Sequence, residues 1–390
     1  MPPKIRVLFS IGTMGGGGAE RQVVEILKRL DRQRFQPFLY LSSRTGPLLA
    51  EVPIDVPVAA YYDEFGATRA GQLLARGRMG LPFRWRSLAR KLEEWQIDVI
   101  YERTFAATID TAGAALLRPT PRIAAAVADP RTEVEINGRW RAPLRHRLGR
   151  WAYRSANRVL ANSEGLRLRM IEEFQLLAER VEVLPNLLDL HALEQRAGEF
   201  PVSLDPSKFH LLTVGRIDAN KGQALVLTAL AEHTSGEQRK QLQWHVLGEG
   251  PDRDLLQRRA QDAGLGDCVR WHGFIANPAP WYKAADLLVF PSYTEGMPNV
   301  LMEAAACQLP ILSTDCPSGP REILAEGAAG VLVPVGDARA LAQQIQTARN
   351  HQTAWHDRAK LAYQLMKERH EPRNVMVGLE SLFGELATPR

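Results

Sequence analysis

The sequence predicts an α/β protein of two Rossmann-like domains, each a doubly wound parallel sheet, facing one another across a central cleft. Three observations carry this. Strand-like and helix-like segments alternate along the whole chain, which is the pattern of parallel sheets covered by helices. The alternation pauses in a polar stretch at 191–206 and then restarts. Each half also opens with a strand that runs into a glycine-containing turn and then a helix, so two sheets fit the pattern better than one long one.

Short apolar runs read as strands and longer periodic ones as helices. In the first half the strands are 5–10, 37–41, 99–101, 122–126, 159–161 and 181–184, with helices at 20–30, 88–95 and 166–174. In the second half the strands are 211–214, 244–247, 287–290 and 311–313, with helices at 224–232, 253–263 and 299–307. The expected domains are 1–190, 191–372 and a tail, 373–390, in which a helix at 374–386 returns to the first domain.

The length, 390 residues, agrees with two domains, and 45% hydrophobic with 24% charged residues describes a globular chain and not a disordered one. There is no apolar run near the roughly 18 residues of a membrane span and no signal-peptide organisation at the start. The expected location is therefore the cytoplasm. Cys268, Cys307 and Cys316 form no CxxC and no ligand cluster, so reduced thiols are expected and no metal.

The net charge of +5 conceals an asymmetry: residues 1–190 carry +8 and the remainder −3. Two windows without acid carry most of the surplus, one between Glu64 and Glu93 and one between Glu135 and Glu164. Arg84 and Arg86 in the first, Arg145 and Arg147 in the second, alternate with Phe83, Trp85, Leu144 and Trp151. Arginine interleaved with aromatic and aliphatic residues is the composition of a helix lying on an anionic membrane, or facing an anionic acceptor. A solvated helix face whose aromatics point inward has the same composition. Nucleic acid is not expected, since no nucleic-acid motif accompanies the charge.

Four motifs bear on chemistry. Gly12, Gly15, Gly16, Gly17 and Gly18 lie between a strand and a helix, where backbone amides and the helix N-terminus can approach a phosphate. The run is not GxGxxG, and the next strand ends in Ser42-Ser43-Arg44 with no acid for a ribose. That disfavours NAD and leaves NADP open; a purely structural turn is the other reading. Gly215, Arg216 and Lys221 follow the strand 211–214. Two cations five residues apart there can turn to a diphosphate and stabilise its charge as it leaves.

The third motif, PSYTEGMPNVLMEA, follows a strand and opens a helix. It sets Glu295 in the loop and Glu303 in the first turns of the helix, so that both can face one pocket lined by the backbone of Gly296, Met297, Pro298, Asn299 and Val300, with free amides at the helix start. Carboxylates accept from sugar hydroxyls and amides donate to phosphate. A glycosidase pair flanking one bond at about 5 to 9 Å is the competing reading, in which those amides have no use. The fourth, Asp252-Arg253-Asp254, has DxD spacing, but it stands before a helix whose positive end favours acids, so a structural role is expected.

The runs GRIDANKG, FPSYTEGMPNVLMEAAACQLPIL and SGPREIL resemble the C-terminal domain of the retaining glycosyltransferases of family 4, which have the GT-B fold. Glu295 and Glu303, seven residues between them, match the family's two-glutamate motif. GGGGAER, LANSEGL and VEVLPNLLDL extend the resemblance over most of the chain. It implies that Arg216 and Lys221 hold the donor diphosphate, Glu303 the ribose, and Glu295 with the backbone of Gly296 to Asn299 the donor sugar's hydroxyls. It implies further that Gly15 to Gly17 close over phosphates, with Gly18 and Asp129 on the acceptor side, and that Phe274 and Ile275 lie along the base. Where many members carry His-Asp or Arg-Asn-Asp-Pro, this chain has Ala128-Asp129-Pro130 and no histidine before His146.

The expected activity is transfer of a hexose from a nucleotide diphosphate sugar, UDP rather than GDP, to a lipid-linked or surface-polysaccharide acceptor. Front-face attack retains the anomeric configuration without metal or other cofactor. The runner-up is a nucleotide-sugar epimerase of the same architecture, and from another class an NADP-dependent oxidoreductase. A place on the inner face of the cytoplasmic membrane suits the basic windows.

Overall fold

Seven parallel strands make the sheet of the first half of the chain: β1 (Ile5–Ile11), β2 (Phe35–Leu41), β3 (Val58–Ala60), β4 (Val99–Arg103), β5 (Arg122–Ala126), β6 (Arg158–Ala161) and β7 (Val181–Val183), ordered β3-β2-β1-β4-β5-β6-β7. Six more, β8 (Phe209–Val214), β9 (Leu242–Leu247), β10 (Val269–Gly273), β11 (Leu287–Phe290), β12 (Ile311–Thr314) and β13 (Val331–Val333), form a second parallel sheet ordered β10-β9-β8-β11-β12-β13. The computed structural model describes residues 3–65, 80–135 and 142–387. It divides into two units, Met1–Leu187 with Pro372–Arg390, and Leu188–Glu371.

Side chains alternate between the faces of each sheet, and both faces are covered, which is why the strands read as continuous apolar runs. In the first unit Val7, Phe9, Leu39 and Tyr101 pack beneath the helix Gly18–Arg29 and the last helix, Pro372–Leu386. Phe383 of that helix is fully buried, edge-on to Phe9, Phe35 and Tyr101 at ring centroids of 6.1, 5.8 and 6.0 Å. The opposite face packs on the helices Gly80–Glu94, Phe105–Leu117 and Ala142–Arg154. There the Arg122 guanidinium meets the buried Glu102 carboxylate at 2.6 Å.

In the second unit Leu211, Trp244, Val246 and Val289 pack on the helices Gln223–Glu232 and Ala338–Asn350. The indole of Trp244 donates to Thr213 Oγ1 at 2.9 Å. On the other face three imidazoles form a chain across neighbouring strands. His210 Nε2 is 2.8 Å from the Asp205 carbonyl, His210 Nδ1 is 3.0 Å from His245 Nε2, and His245 Nδ1 is 3.0 Å from His272 Nε2. Because the Asp205 carbonyl can only accept, each ring in turn must donate through Nε2 and accept through Nδ1. Trp281 closes over His245 and His272. The ladder climbs two residues per strand, since His210 lies beside Gln243 and Arg270 beside His245, and so ends next to Gly273.

Candidate functional site

In the second sheet the chain moves outward from β8 to β9 and β10, then returns to β11 and moves the other way. The turns leaving β8 and β11 therefore diverge, and such a reversal is where open α/β sheets take ligands. Both motif loops belong to it: residues 215–222 follow β8 and residues 291–298 follow β11.

Backbone contacts lock the two loops together. Gly222 has φ +69°, and a Cβ there would stand 2.1 Å from the Pro291 carbonyl oxygen. Tyr293 N donates to Asn220 O at 2.8 Å, while the Asn220 side chain donates to Thr294 O at 3.1 Å and accepts from Thr294 Oγ1 at 2.7 Å. With the loops so registered, Lys221 Nζ donates to Glu295 Oε1 at 2.6 Å. The carboxylate is 10% exposed and the lysine 30%, so the pair opens to solvent on the ammonium side.

Arg216 is not drawn into this pair. Its side chain is 69% exposed and its Nε lies 3.3 Å from Asp218 Oδ2. Glu303, on the helix Asn299–Ala306, accepts from the Tyr282 hydroxyl at 3.0 Å. Burial first, and then the Glu303 charge, hold the Tyr282 phenol well above its ordinary range. Gly296, Met297 and Pro298 are buried, Asn299 and Val300 half-buried, and no side chain caps the helix they open. At the end of β10, Phe274 is largely exposed and Ile275 packs into the core. A bond of 2.7 Å from Gly248 N to Gly273 O ties that end to the end of β9.

In the first unit, the glycine loop after β1 is anchored by the buried Met14, whose amide bonds Thr45 O at 2.9 Å. Gly15, Gly17 and Gly18 are exposed, and Gly16 has φ +96°. The Glu20 carboxylate folds back over the loop, its Oε2 only 2.6 Å from where a Cβ of Gly17 would stand. Asp129 is 4% exposed. Its Oδ1 accepts from Arg131 N at 2.9 Å and its Oδ2 from Arg169, so it caps the helix Pro130–Glu135 and pairs with a neighbouring one. Asp252 and Asp254 begin the helix Arg253–Asp262, and among the described residues no three His, Cys, Asp or Glu side chains converge to hold a metal. All three cysteines are buried, and burial pushes the Cys307 and Cys316 thiols up to about 12.

The basic face expected of Arg84, Arg86, Arg145 and Arg147 does not hold as one surface. Arg84 pairs with the buried Asp110 of the adjacent helix. Arg145 donates to Glu133 O at 2.7 Å and lies 4.9 Å over the Phe105 ring. Trp85 fills the notch at Gly113, where a Cβ would come within 2.0 Å of its ring, and Trp151 stands 6.0 Å from it. Both tryptophans therefore face inward, because the helix Phe105–Leu117 offers a glycine opposite them. Arg86 and Arg147 are exposed, with Phe83 and Leu144 beside them in sequence. Arg69, Arg76, Arg78, Arg139, Trp140 and Arg141 of the two windows lie outside the described residues.

One cation of the first unit escaped the sequence reading. Arg103 ends β4, is 5% exposed, and among the described residues bonds neutral partners, Tyr101 Oη at 3.0 Å and Asn186 Oδ1 at 2.9 Å. A charged residue directly after an apolar strand was the available signal.

Residues 16–192 match the model of Glycosyltransferase Family 4, and residues 208–351 that of Glycosyl transferases group 1. The chain belongs to glycosyltransferase family 4. The N-acetylgalactosamine-N,N'-diacetylbacillosaminyl-diphospho-undecaprenol 4-alpha-N-acetylgalactosaminyltransferase of Campylobacter jejuni is 32% identical over 50% of the chain and 51% of its own length. The D-inositol 3-phosphate glycosyltransferase of Paenarthrobacter aurescens is 29% identical over 46% of the chain and 45% of its own length. The chain thus spans about half the length of the curated relatives it matches. The crystal structure of Anabaena HepE in complex with UDP and glucose superposes with a TM-score of 0.78 at 21% identity, over 98% of this chain and all of that one. Likeness at that level describes the fold, which is GT-B.

Proposed function

We propose that the protein is a retaining glycosyltransferase that moves a hexose from a UDP-sugar to a lipid-linked or surface-polysaccharide acceptor. The observation that carries this is the Lys221–Glu295 pair at the strand-order reversal of the second sheet, beside an uncapped helix start and Glu303. In this reading Lys221 and Arg216 hold the diphosphate, aided by Gly215 and the backbone N–H groups of residues 296, 297, 299 and 300. Glu303 takes the ribose hydroxyls, Glu295 the donor sugar, and Phe274 and Ile275 flank the base. Gly15 to Gly18 of the first unit serve phosphate or acceptor. The diphospho-undecaprenol in the name of the Campylobacter relative and the UDP in the HepE complex support the choice of acceptor and donor.

The bond between the anomeric carbon and the diphosphate oxygen breaks as the acceptor oxygen bonds that carbon on the same face. The acceptor proton passes to the departing diphosphate, so the products are the glycoside and UDP. Negative charge grows on the diphosphate during this step. In this reading Lys221 and the exposed Arg216 meet that charge, and such cations stabilise a developing anion. Asp129, a helix cap and ion-paired with Arg169, is assigned the support of the acceptor-side turn and not proton transfer. For the membrane, the reading keeps Arg86 and Arg147 with Phe83 and Leu144. No helix among the described residues is long and apolar enough to cross a bilayer.

Thermal shifts with UDP, GDP, ADP and NADP, each with and without magnesium, test the reading. A ligand at a hundred times its Kd stabilises by about 2.7 kcal/mol. A metal-independent shift with UDP alone is expected, and a shift with NADP alone would overturn the assignment.

A further inference from the structure

We infer that the first unit carries an anion site of its own, in which the Arg103 guanidinium takes a phosphate or diphosphate group of the acceptor; this rests on the reading that the first unit binds the acceptor. The first sheet reverses its strand order between β1 and β4. The turn after β1 leads to the helix Gly18–Arg29 on one face, and the turn after β4 leads to the helix Phe105–Leu117 on the other. A crevice opens between such diverging turns. Ser10 pairs with Glu102 in register, so Arg103 stands level with Ile11, the last residue before the glycine loop.

Arg103 shares a face with Tyr101, whose ring packs under the helix Gly18–Arg29, so its side chain lies on the glycine-loop side of the sheet. Asn186 holds it there, and the adjoining Leu187 is clamped by Gln22 of that helix through bonds of 2.7 and 2.8 Å. Among the described residues no carboxylate is paired with this guanidinium, and its buried Nε has no hydrogen-bond partner. A buried cation without a counter-charge is costly, and the fold supplies neutral ligands only.

Two further features point to the same place. Thr104, the next residue, holds φ +87°, a left-handed conformation that a β-branched side chain adopts only when its surroundings impose it. The helices flanking the crevice, 12 and 13 residues long, both begin without a side-chain cap. Their positive ends and the Arg103 charge together fit an anion, and a forked guanidinium suits phosphate oxygens.

The test is calorimetry of inorganic pyrophosphate on the full chain in an Arg216→Ala/Lys221→Ala background, which removes the two cations assigned to the donor diphosphate. Pyrophosphate should still bind, and adding Arg103→Met should weaken it by about tenfold or more, the worth of a charge-assisted hydrogen bond. Asn186→Asp keeps the guanidinium in place and gives it an internal carboxylate, and should weaken pyrophosphate to a similar degree. Affinity unchanged in both variants would overturn the inference, leaving Arg103 as a tie for the 184–187 segment. Farnesyl diphosphate separates the sources: tighter binding than pyrophosphate assigns the anion to a lipid carrier, equal binding to a free or sugar-borne phosphate. UDP titrated into the wild type reports separately on the donor reading, so the two failures are distinguishable.

Discussion

The Lys221 ammonium lies 2.6 Å from the Glu295 carboxylate although 74 residues separate them in sequence. The contact sets a partly exposed ammonium against a largely buried carboxylate, and the proposed diphosphate role of Lys221 can be tested on it. Lys221→Ala should lower kcat by ~10² or more. Arg216→Ala should lower it similarly with no change in Tm, because that side chain is exposed. Steady-state transfer rates beside melting curves check both, and an unchanged rate in either variant removes that residue from the diphosphate.

Glu303 and Tyr282 form a second pair whose disruption reads out as binding. Glu303→Ala should weaken free UDP as well as the intact donor, since both carry the ribose. Tyr282→Phe removes only the donor to Glu303 Oε2 and should weaken UDP less. Calorimetry that finds the same UDP affinity in wild type and Glu303→Ala rejects the ribose assignment.

The split of the basic face makes its own prediction. Arg86→Glu with Arg147→Glu should reduce sedimentation with anionic vesicles and leave the melting temperature alone. Arg84→Glu should instead destabilise the fold, by about 1 to 3 kcal/mol, because it places a carboxylate against the buried Asp110. Urea denaturation separates the two classes. Vesicle sedimentation that is weak even in the wild type retires the membrane contact.

The imidazole ladder predicts acid sensitivity of the second unit. Burial, and then the neighbouring His210 and His272, push the His245 pKa down to about 3. In the unfolded chain its pKa is about 6.5. Between these values the unfolded chain binds a proton that the folded chain refuses, so stability falls as the pH is lowered through that window. The slope from one such proton is at most about 1.4 kcal/mol per pH unit. His245→Gln should flatten the dependence in urea melts between pH 6.5 and 4; an unaltered slope would place the acid sensitivity elsewhere.

Phe383→Ala should cost about 3 to 5 kcal/mol, the usual result of emptying a fully buried aromatic site. The loss should register in probes of the first unit, such as hydrogen exchange of β1 and β2, because the ring packs on Phe9, Phe35 and Tyr101.

The strands were legible because buried parallel strands are apolar on both faces: β1, β8 and β11 follow the expected runs closely. β3 and β13, three residues each, went unseen, although β7 is equally short and was expected. The helix Phe105–Leu117 also went unseen. Nine of its thirteen residues are buried, so it lacks the polar face by which helices are recognised. Periodicity also told that Trp85 and Trp151 share faces with arginines, but not which side met the core; that was decided by Gly113. The motif loops were readable as chemistry, whereas the Lys221–Glu295 contact depends on strand order. The charge of Arg103 at the end of an apolar strand was visible in the sequence, but its burial against neutral partners depends on Tyr101 and Asn186 meeting it in the fold.

The last helix gives the chain an order of assembly. A ribosome releases β1 and β2 early, yet the ring that fills the space above Phe9 and Phe35 is Phe383, near the end of the described chain. The second unit, whose core is drawn from Leu188–Glu371, is fully synthesised before that ring emerges. During translation the first sheet must therefore wait with an open apolar face while the later half folds, and truncation before residue 372 should expose the same face to chaperones or to aggregation.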